Sequence, residues 1–321
     1  MSRRREVFLE QAESSAPRSP FYAELCRRFA DDPLVDGLVG PDPAWDAPLR
    51  LLGGLHALVL SGRASWDDVD AALEEHADFL ASAVAERPVQ TNEVQRCWVL
   101  LPCFLELARR SGYPQLDLVE LGPSAGLNLM WDRYRSVYAA GEWGPADAVI
   151  ELRGEERRPV PAELLDVPAR VGRRIGIDLA PVDVTTDEGA LLLKSFVWAD
   201  QHHRLELLDR AMATLREDPP ELIRGDVAEE LPKVLARPRE GALTVVWQTA
   251  VLGYVSDEDR GRVYEALEAA GADGPLGWIS AGASGREPEH EWALKLRLWP
   301  GGDRSLLAHA DYHGAWLEWV A

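Results

Sequence analysis

The sequence has few cysteines and no arrangement of residues typical of a metal site. Only Cys26, Cys97 and Cys103 occur among 321 residues, and no two of them have a CxxC spacing. This number and spacing argue against a disulfide framework and against a zinc site built from cysteines. The seven histidines are scattered along the chain. We therefore predict reduced cysteines in the core and no metal.

Long apolar runs and positive charge are also scarce. The longest apolar runs, such as residues 51–60, are too short to span a bilayer, and the first residues lack the apolar core of a signal peptide. The 34 basic residues face 54 acidic ones, which gives a formal net charge of −20. Such a charge repels phosphate, so we expect neither nucleic acid nor a membrane surface as a partner. A cytoplasmic location is expected, and the sequence does not indicate the oligomeric state.

From residue 111 onward, apolar runs of strand length alternate with helical patterns. We predict strands at residues 116–121, 174–177, 221–224, 243–247 and 276–280. A helix is expected after the first strand, up to about residue 140, and residues 139–170 read as an insertion. Residues 291–299 and 304–319 are expected to form a C-terminal antiparallel hairpin. The pattern predicts a doubly wound α/β domain over residues 111–321. Residues 1–110 look helical and predict an N-terminal helical cap.

The order of these motifs resembles the class I S-adenosylmethionine (SAM)-dependent methyltransferase superfamily. Strand one ends in Glu120 and a Gly-rich turn, Asp178 ends strand two, Asp226 follows strand three, and residues 248–254 follow strand four. The stretches TNEVQR, GPSAGLN and HGAWLEW also resemble an uncharacterised bacterial family. The superfamily resemblance implies a Rossmann-like fold, SAM as the cofactor and a transferase that methylates a small molecule. After strand four, Trp247-Gln248-Thr249-Ala250 replaces the motif of enzymes that methylate nucleobases or glutamine, so neither substrate is supported.

The resemblance also implies roles for individual residues. Backbone N–H groups of the turn would meet the methionine carboxylate, Asp178 would accept hydrogen bonds from the ribose hydroxyls, and Asp226 would accept one from the adenine amino group. A carboxylate buried inside strand one, as at Glu120, needs donors. The full set assigned to the cofactor is Glu120, Gly122, Ser124, Ala125, Gly126, Asn128, Asp178, Asp226, Val227 and Gln248.

Each of these roles has a structural alternative. The turn after strand one also suits a plain strand–turn–helix connection, in which glycine is common. Asp178 is also placed to act as a loop or helix-capping residue. Asp226 stands directly before a helical pattern, where aspartate is a favoured N-cap.

Substrate and catalytic residues are assigned by position. Asn92 and Arg96 begin the helix before strand one, and Arg96 suits bidentate binding of a carboxylate, although a capped helix start with an ion pair fits equally. Tyr134 and Trp198 are candidate walls of a substrate cavity, or core aromatics. Tyr254 and His313 are the candidates for contacting or deprotonating the acceptor, and the alternative for the histidine is a structural role.

Other functions fit the same layout. An enzyme that uses SAM for alkyl transfer or cyclisation would look the same, and so would a non-catalytic SAM-binding protein. A nicotinamide-dependent enzyme is disfavoured because GPSAGLN lacks the GxGxxG spacing.

Overall fold

A computed structural model describes residues 2–283 and 291–321. The chain forms two compact units. The first contains residues 1–91 and 182–209, and the second contains residues 92–181 and 210–321. We call them the helical unit and the sheet unit.

Helices and strands are numbered separately in chain order. The helices are α1 (Arg3–Ser15), α2 (Pro20–Phe29), α3 (Pro33–Val39), α4 (Ala47–Leu60), α5 (Val69–Glu75), α6 (Ala77–Glu86), α7 (Arg96–Ser111), α8 (Ala162–Leu165), α9 (Asp187–Ser195), α10 (His202–Glu217), α11 (Val227–Leu235) and α12 (Asp257–Asp273). The strands are β1 (Gln115–Leu121), β2 (Arg135–Tyr138), β3 (Gly141–Trp143), β4 (Glu151–Arg153), β5 (Glu155–Arg158), β6 (Arg170–Asp178), β7 (Glu221–Arg224), β8 (Leu243–Thr249), β9 (Leu276–Ala283), β10 (Glu291–Trp299), β11 (Asp303–Asp311) and β12 (Trp316–Trp319). Two 3₁₀ helices cover Leu127–Arg133 and Val251–Gly253.

The helical unit packs α1 to α6 and α9 around an apolar core. Phe8, Phe29 and Leu51 are fully buried there. Its helices begin where the sequence supplies caps, as at Ser19, whose side chain accepts from the Tyr22 N–H while Pro20 opens α2. Asp32 caps α3 in the same way, with its side chain accepting from the Leu34 N–H.

The sheet unit is built on a mixed, mostly parallel sheet. Among the described residues its strands run in the order β5-β12-β11-β10-β9-β8-β1-β6-β7. Strands β7, β6, β1, β8 and β9 are mutually parallel, and β9 to β12 pair antiparallel in succession. The predicted C-terminal pair is therefore extended by a third strand. A separate small sheet has the order β3-β2-β4.

The segment after β1 differs from expectation. The predicted α-helix to residue 140 is wrong: a 3₁₀ helix spans Leu127–Arg133, and β2 and β3 follow. Tertiary hydrogen bonds fix this geometry, since the Leu127 N–H donates to Asn92 Oδ1 and the Tyr134 hydroxyl donates to the Leu127 carbonyl. The strands of the insertion pair with strands outside it: β3 and β4 pair with β2, and β5 pairs with β12.

The two faces of the parallel strands differ in chemistry. Val119 and Leu121 belong to an apolar cluster shared with α11 and α12. Glu120 lies between them in β1 and therefore points to the other face, because successive strand residues alternate.

None of the helices in residues 2–283 and 291–321 has both the length and the apolar character needed to cross a bilayer.

Candidate functional site

The carboxyl ends of four parallel strands meet at one edge of the sheet. Leu121 at the end of β1 is in register with Ile177 of β6 on one side and with Gln248 of β8 on the other. Asp178 of β6 is in register with Arg224 of β7. The strand ends that the sequence assigned to the cofactor therefore lie along one edge, which we call the carboxyl edge.

The turn after β1 has an unusual backbone. Gly122, Ser124 and Gly126 have φ values of +69°, +56° and +84°. A Cβ on Gly122 would lie 2.5 Å from Cγ2 of Val251, so this position requires glycine both for its φ and for its close contact. A left-handed φ at Ser124, a residue with a side chain, is uncommon and needs support from its surroundings.

Hydrogen bonds inside the protein supply that support. The Ser124 N–H donates to Asp178 Oδ2 at 2.9 Å, and the Gly126 N–H donates to the Pro123 carbonyl at 2.9 Å. The Leu127 N–H donates to Asn92 Oδ1 at 3.0 Å. These three N–H groups, expected to meet a methionine carboxylate, therefore already have partners. Asp178 and Asn92 both hold the turn in place.

Glu120 is the most distinctive group at this edge. Its side chain is 1% exposed, and Oε2 has no hydrogen-bond partner within the described residues. Burial raises the pKa of the Glu120 carboxyl well above its ordinary value; the Arg96 guanidinium opposes this shift and the Asp178 carboxylate adds to it. A buried carboxyl oxygen without a donor is costly, and such groups concentrate at functional sites.

Arg96 enters the same region from the first turn of α7. It is 5% exposed, its Nε donates to the Tyr312 carbonyl at 3.0 Å, and its Nη1 donates to Thr249 Oγ1 at 3.4 Å. Its guanidinium also lies over the rings of Trp292 and Tyr312, 5.0 and 5.4 Å from their centroids. These contacts hold a positive charge in the buried interior beside Glu120.

Comparisons with known proteins place this chain in a family. The profile of the family described as "Uncharacterized protein conserved in bacteria (DUF2332)" matches residues 5–319. The chain belongs to this family. A comparison with curated proteins found no match.

Other residues expected at the cofactor site of this DUF2332 protein are deeply buried. Ala125 is 0% exposed, and Asn128 is 1% exposed and accepts a hydrogen bond from the Cys97 thiol, with Sγ 3.4 Å from Oδ1. Gln248 donates through Nε2 to the Ala281 carbonyl at 2.9 Å, whereas its Oε1 has no partner among the residues described. Asn128 therefore has a packing role, and Gln248 keeps an unsatisfied acceptor near the edge.

Asp226 is an N-cap in this structure. Its side chain accepts from the Ala228 N–H at 2.7 Å at the start of α11, and Val227 is buried in the apolar cluster below. The Gly225 N–H donates to the Asp178 carbonyl at 2.9 Å, so the loop that carries Asp226 runs beside Asp178. The capping interpretation is thus realised, and the position on the carboxyl edge is retained.

The proposed substrate and catalytic residues are not all brought together. Tyr134 is fully buried, and burial raises the pKa of its hydroxyl well above its ordinary value. Tyr254 follows β8 and is 64% exposed. The His313 N–H donates to Asp311 Oδ1 at 2.8 Å in the turn between β11 and β12. Trp198 belongs to the helical unit, where its ring contacts that of Tyr22.

The structure also contains a buried pair of polar residues that the sequence did not predict. Glu291 begins β10 and His309 lies on β11, and Oε1 of the first is 3.0 Å from Nδ1 of the second. Asp311, which is buried nearby, accepts the N–H groups of His313 and Ala315. Only the antiparallel register reveals the pair, because the two residues are far apart in the chain. In the described ranges, no group of three or more His, Cys, Asp or Glu is arranged to hold a metal ion.

Proposed function

We propose that the carboxyl edge binds SAM and that the protein transfers the methyl group of SAM to a small molecule. Strands β7-β6-β1-β8-β9 have the order 3-2-1-4-5 when the parallel strands are counted along the chain, the order of doubly wound nucleotide-binding sheets. Ligands of such sheets bind outside the carboxyl ends, where the strand order reverses. That point lies between β1 and β8.

The observation that carries the proposal is the buried Glu120 carboxyl group. Its Oε2 lacks a partner in the described part of the chain, at the end of the strand next to the reversal point. The α-ammonium group or the ribose hydroxyls of SAM would donate to it. Donation by a cationic ligand would favour the ionised form and offset the cost of burial.

Other residues of the edge have roles that fit the same ligand. Asp178 accepts N–H groups on both oxygens, from Ser124 and Ala180, which orients its carboxylate at the strand end. Each carboxylate oxygen has a second acceptor position for a ribose hydroxyl. Asp226 also keeps acceptor capacity beyond its capping hydrogen bond. When bound, SAM supplies an electrophilic methyl group on a sulfonium centre.

The methionine carboxylate requires a different assignment from the one that the resemblance implies. The turn N–H groups of Ser124, Gly126 and Leu127 donate within the protein, and the segment that follows is a 3₁₀ helix. We therefore assign this carboxylate to Arg96, whose guanidinium is buried beside Glu120. Tyr254 and His313 remain the proposed contacts of the acceptor. His313 would accept a proton from the acceptor where the reaction releases one, and Tyr254 would contact the acceptor, while the edge aligns the reactants.

Calorimetry on the full chain tests cofactor binding with SAM, S-adenosylhomocysteine and NAD as probes. We expect SAM and S-adenosylhomocysteine to bind, and Glu120→Gln to weaken SAM binding about tenfold, as expected on losing a charged hydrogen bond. Asp117→Asn is the matched control, since Asp117 is a buried acid at the other end of β1, where it accepts the Arg173 N–H. Binding of NAD alone, or of none of the three, would contradict the cofactor assignment.

A second experiment tests the transfer itself. SAM carrying a labelled methyl group is incubated with the protein and a bacterial metabolite extract, and the small molecules are separated and counted. We expect the parent protein to transfer the label to a new small molecule, and the Glu120→Gln variant to form none of this labelled product. If S-adenosylhomocysteine binds but no label leaves SAM, the protein is a non-catalytic binder. Release of methylthioadenosine would instead indicate alkyl transfer or cyclisation.

A further inference from the structure

The sheet unit has a second concave region, on the face of the antiparallel strands beside α12. Its lining includes Tyr264 of α12, Trp278 and Ser280 of β9, Lys295 of β10, and Arg304 and Leu306 of β11. We call it the strand-face cavity. Its volume is about 570 Å³, which lies within the range of small-molecule sites.

The strand-face cavity does not belong to the carboxyl edge. Trp278 packs in the apolar cluster with α12, on the face of the sheet to which Leu121 points. Glu120 points to the opposite face, because it lies next to Leu121 in β1. A ligand in the strand-face cavity would therefore not contact Glu120, and the inference below does not depend on the proposed function.

Flat apolar surface lines this cavity. The Tyr264 ring meets the Trp278 ring edge to face, with centroids 6.3 Å apart. Tyr264 is 44% exposed and Leu306 is 41% exposed, so both offer apolar surface to a ligand. Aromatic side chains of this kind favour planar, apolar ligands, which they contact by stacking and edge-to-face packing.

Positive charge is concentrated at the same place in a chain of net charge −20. Arg297 is neutralised by Glu268, with Nη2 2.8 Å from Oε2, and its guanidinium lies over the Trp299 ring. Lys295 and Arg304 are exposed. Neither forms a salt bridge among the described residues, and the charge of Arg304 adds to that of Arg297 in lowering the pKa of the Glu268 carboxyl. In the antiparallel register of β10 and β11, Arg297 is opposite Arg304 and Lys295 is opposite Leu306. Lys295 and Arg304 therefore lie on neighbouring strands.

We propose that the strand-face cavity binds a planar organic anion of the aromatic carboxylate class. The ring lies against Tyr264 and Leu306, and the carboxylate is held by Lys295 and Arg304. Both parts are needed, because an isolated surface charge pair contributes little and a small apolar contact alone gives little orientation. The cavity is concave and its volume of about 570 Å³ suits a small molecule.

Calorimetry and ligand-observed NMR on the full chain test this inference, with naphthalene-2-carboxylate as the probe. Naphthalene-2-carboxamide is the neutral probe of matched shape. We expect the carboxylate to bind about fivefold more tightly than the amide, and Lys295→Gln or Arg304→Gln to remove most of that difference. Lys233→Gln is the control, because Lys233 is an exposed lysine on α11 that pairs with Glu230.

A further variant separates loss of binding from loss of folding. Leu306→Glu places an anion at an exposed position of the cavity, and we expect it to abolish carboxylate binding while the circular dichroism melt stays unchanged. Equal affinity for acid and amide, an equal effect of the Lys233→Gln control, or no binding of either probe would overturn the proposal. A dimer in sedimentation velocity that Leu306→Glu dissociates would also overturn it, because a second chain would then occupy this face.

Discussion

Burial has opposite energetic effects on the two faces of the parallel strands. On the α11 and α12 face, β1 contributes Val119 and Leu121 to a continuous apolar cluster. On the other face, the same strand carries Glu120, which is equally buried but lacks a partner for one oxygen in the described residues. Burial on the first face stabilises the fold, since it removes apolar area from water. Burial on the second face opposes folding, because it removes a carboxyl oxygen without a hydrogen-bond donor from water.

The largest expected effect comes from damaging the apolar face. Leu121→Ala leaves a cavity in the cluster beneath α11 and α12, and we expect it to lower the free energy of unfolding by about 3 kcal/mol. Urea unfolding followed by fluorescence measures the change. Leu306→Ala, at an exposed position, is expected to change stability by less than about 0.5 kcal/mol. Similar losses for both variants would contradict the difference in packing.

The turn after β1 gives the next largest effect. Gly122→Ala combines a left-handed φ with a Cβ that would lie 2.5 Å from Val251 Cγ2, and we expect a loss of about 2 kcal/mol. Gly62→Ala is the matched control: its φ is +70°, but nothing lies within 4 Å of the added Cβ. Comparison of the two variants by urea unfolding separates the contact from the backbone cost. Equal losses would mean that the contact with Val251 is unimportant.

The polar face should respond to pH. Because the pKa of Glu120 is raised in the folded state, folding takes up a proton at pH values between the ordinary pKa near 4.5 and the folded value. Below that window, the contribution of the protonated Glu120 carboxyl to the free energy of unfolding is fully present. This contribution is lost as the pH rises through the window. Glu120→Gln should therefore gain stability over the parent protein by at most about 1.4 kcal/mol per pH unit within the window. Urea unfolding at a series of pH values measures the gain, and a gain that is independent of pH would be inconsistent with the shift.

The smallest expected effect concerns Asp178. Asp178→Asn keeps an acceptor for one of the two N–H groups, from Ser124 and Ala180, but loses the charge assistance and one acceptor oxygen. We expect a loss of about 1 kcal/mol in urea unfolding. Asp183→Asn is the control, since Asp183 also accepts an N–H two residues ahead but lies in an exposed loop of the helical unit. A larger loss in the control would argue against a role for Asp178 in holding the turn.

Much of the fold could be predicted from local signals. The strand predicted at residues 221–224 has the observed bounds, and Asp226 caps a helix as its position suggests. The helix expected after β1 was wrong, because the Leu127 N–H donates to the distant Asn92 side chain and the Leu127 carbonyl accepts from the Tyr134 hydroxyl, and these contacts override the local pattern. The sequence carries no comparable signal for β2: Arg135–Tyr138 alternates between partly and fully buried residues in the structure, but Arg-Ser-Val-Tyr does not alternate between polar and apolar residues.

The candidate site was harder to predict than the fold. The strand ends could be aligned from the sequence, because parallel strands of one sheet share a carboxyl edge. The partners of individual groups could not be predicted. Asp178 binds the turn through Ser124, and His309 lies beside Glu291, and both contacts depend on register and on side-chain geometry.

The outermost strand on one side of the sheet, β5, consists only of charged residues, Glu155 to Arg158. It comes from the middle of the chain and pairs with the C-terminal β12. An unpaired sheet edge invites strands from other molecules to add to it, and charged side chains oppose this addition. By covering β12 with four charged residues, the insertion should protect the protein from edge-to-edge aggregation. Shortening the insertion would then reduce solubility before it affected the carboxyl edge.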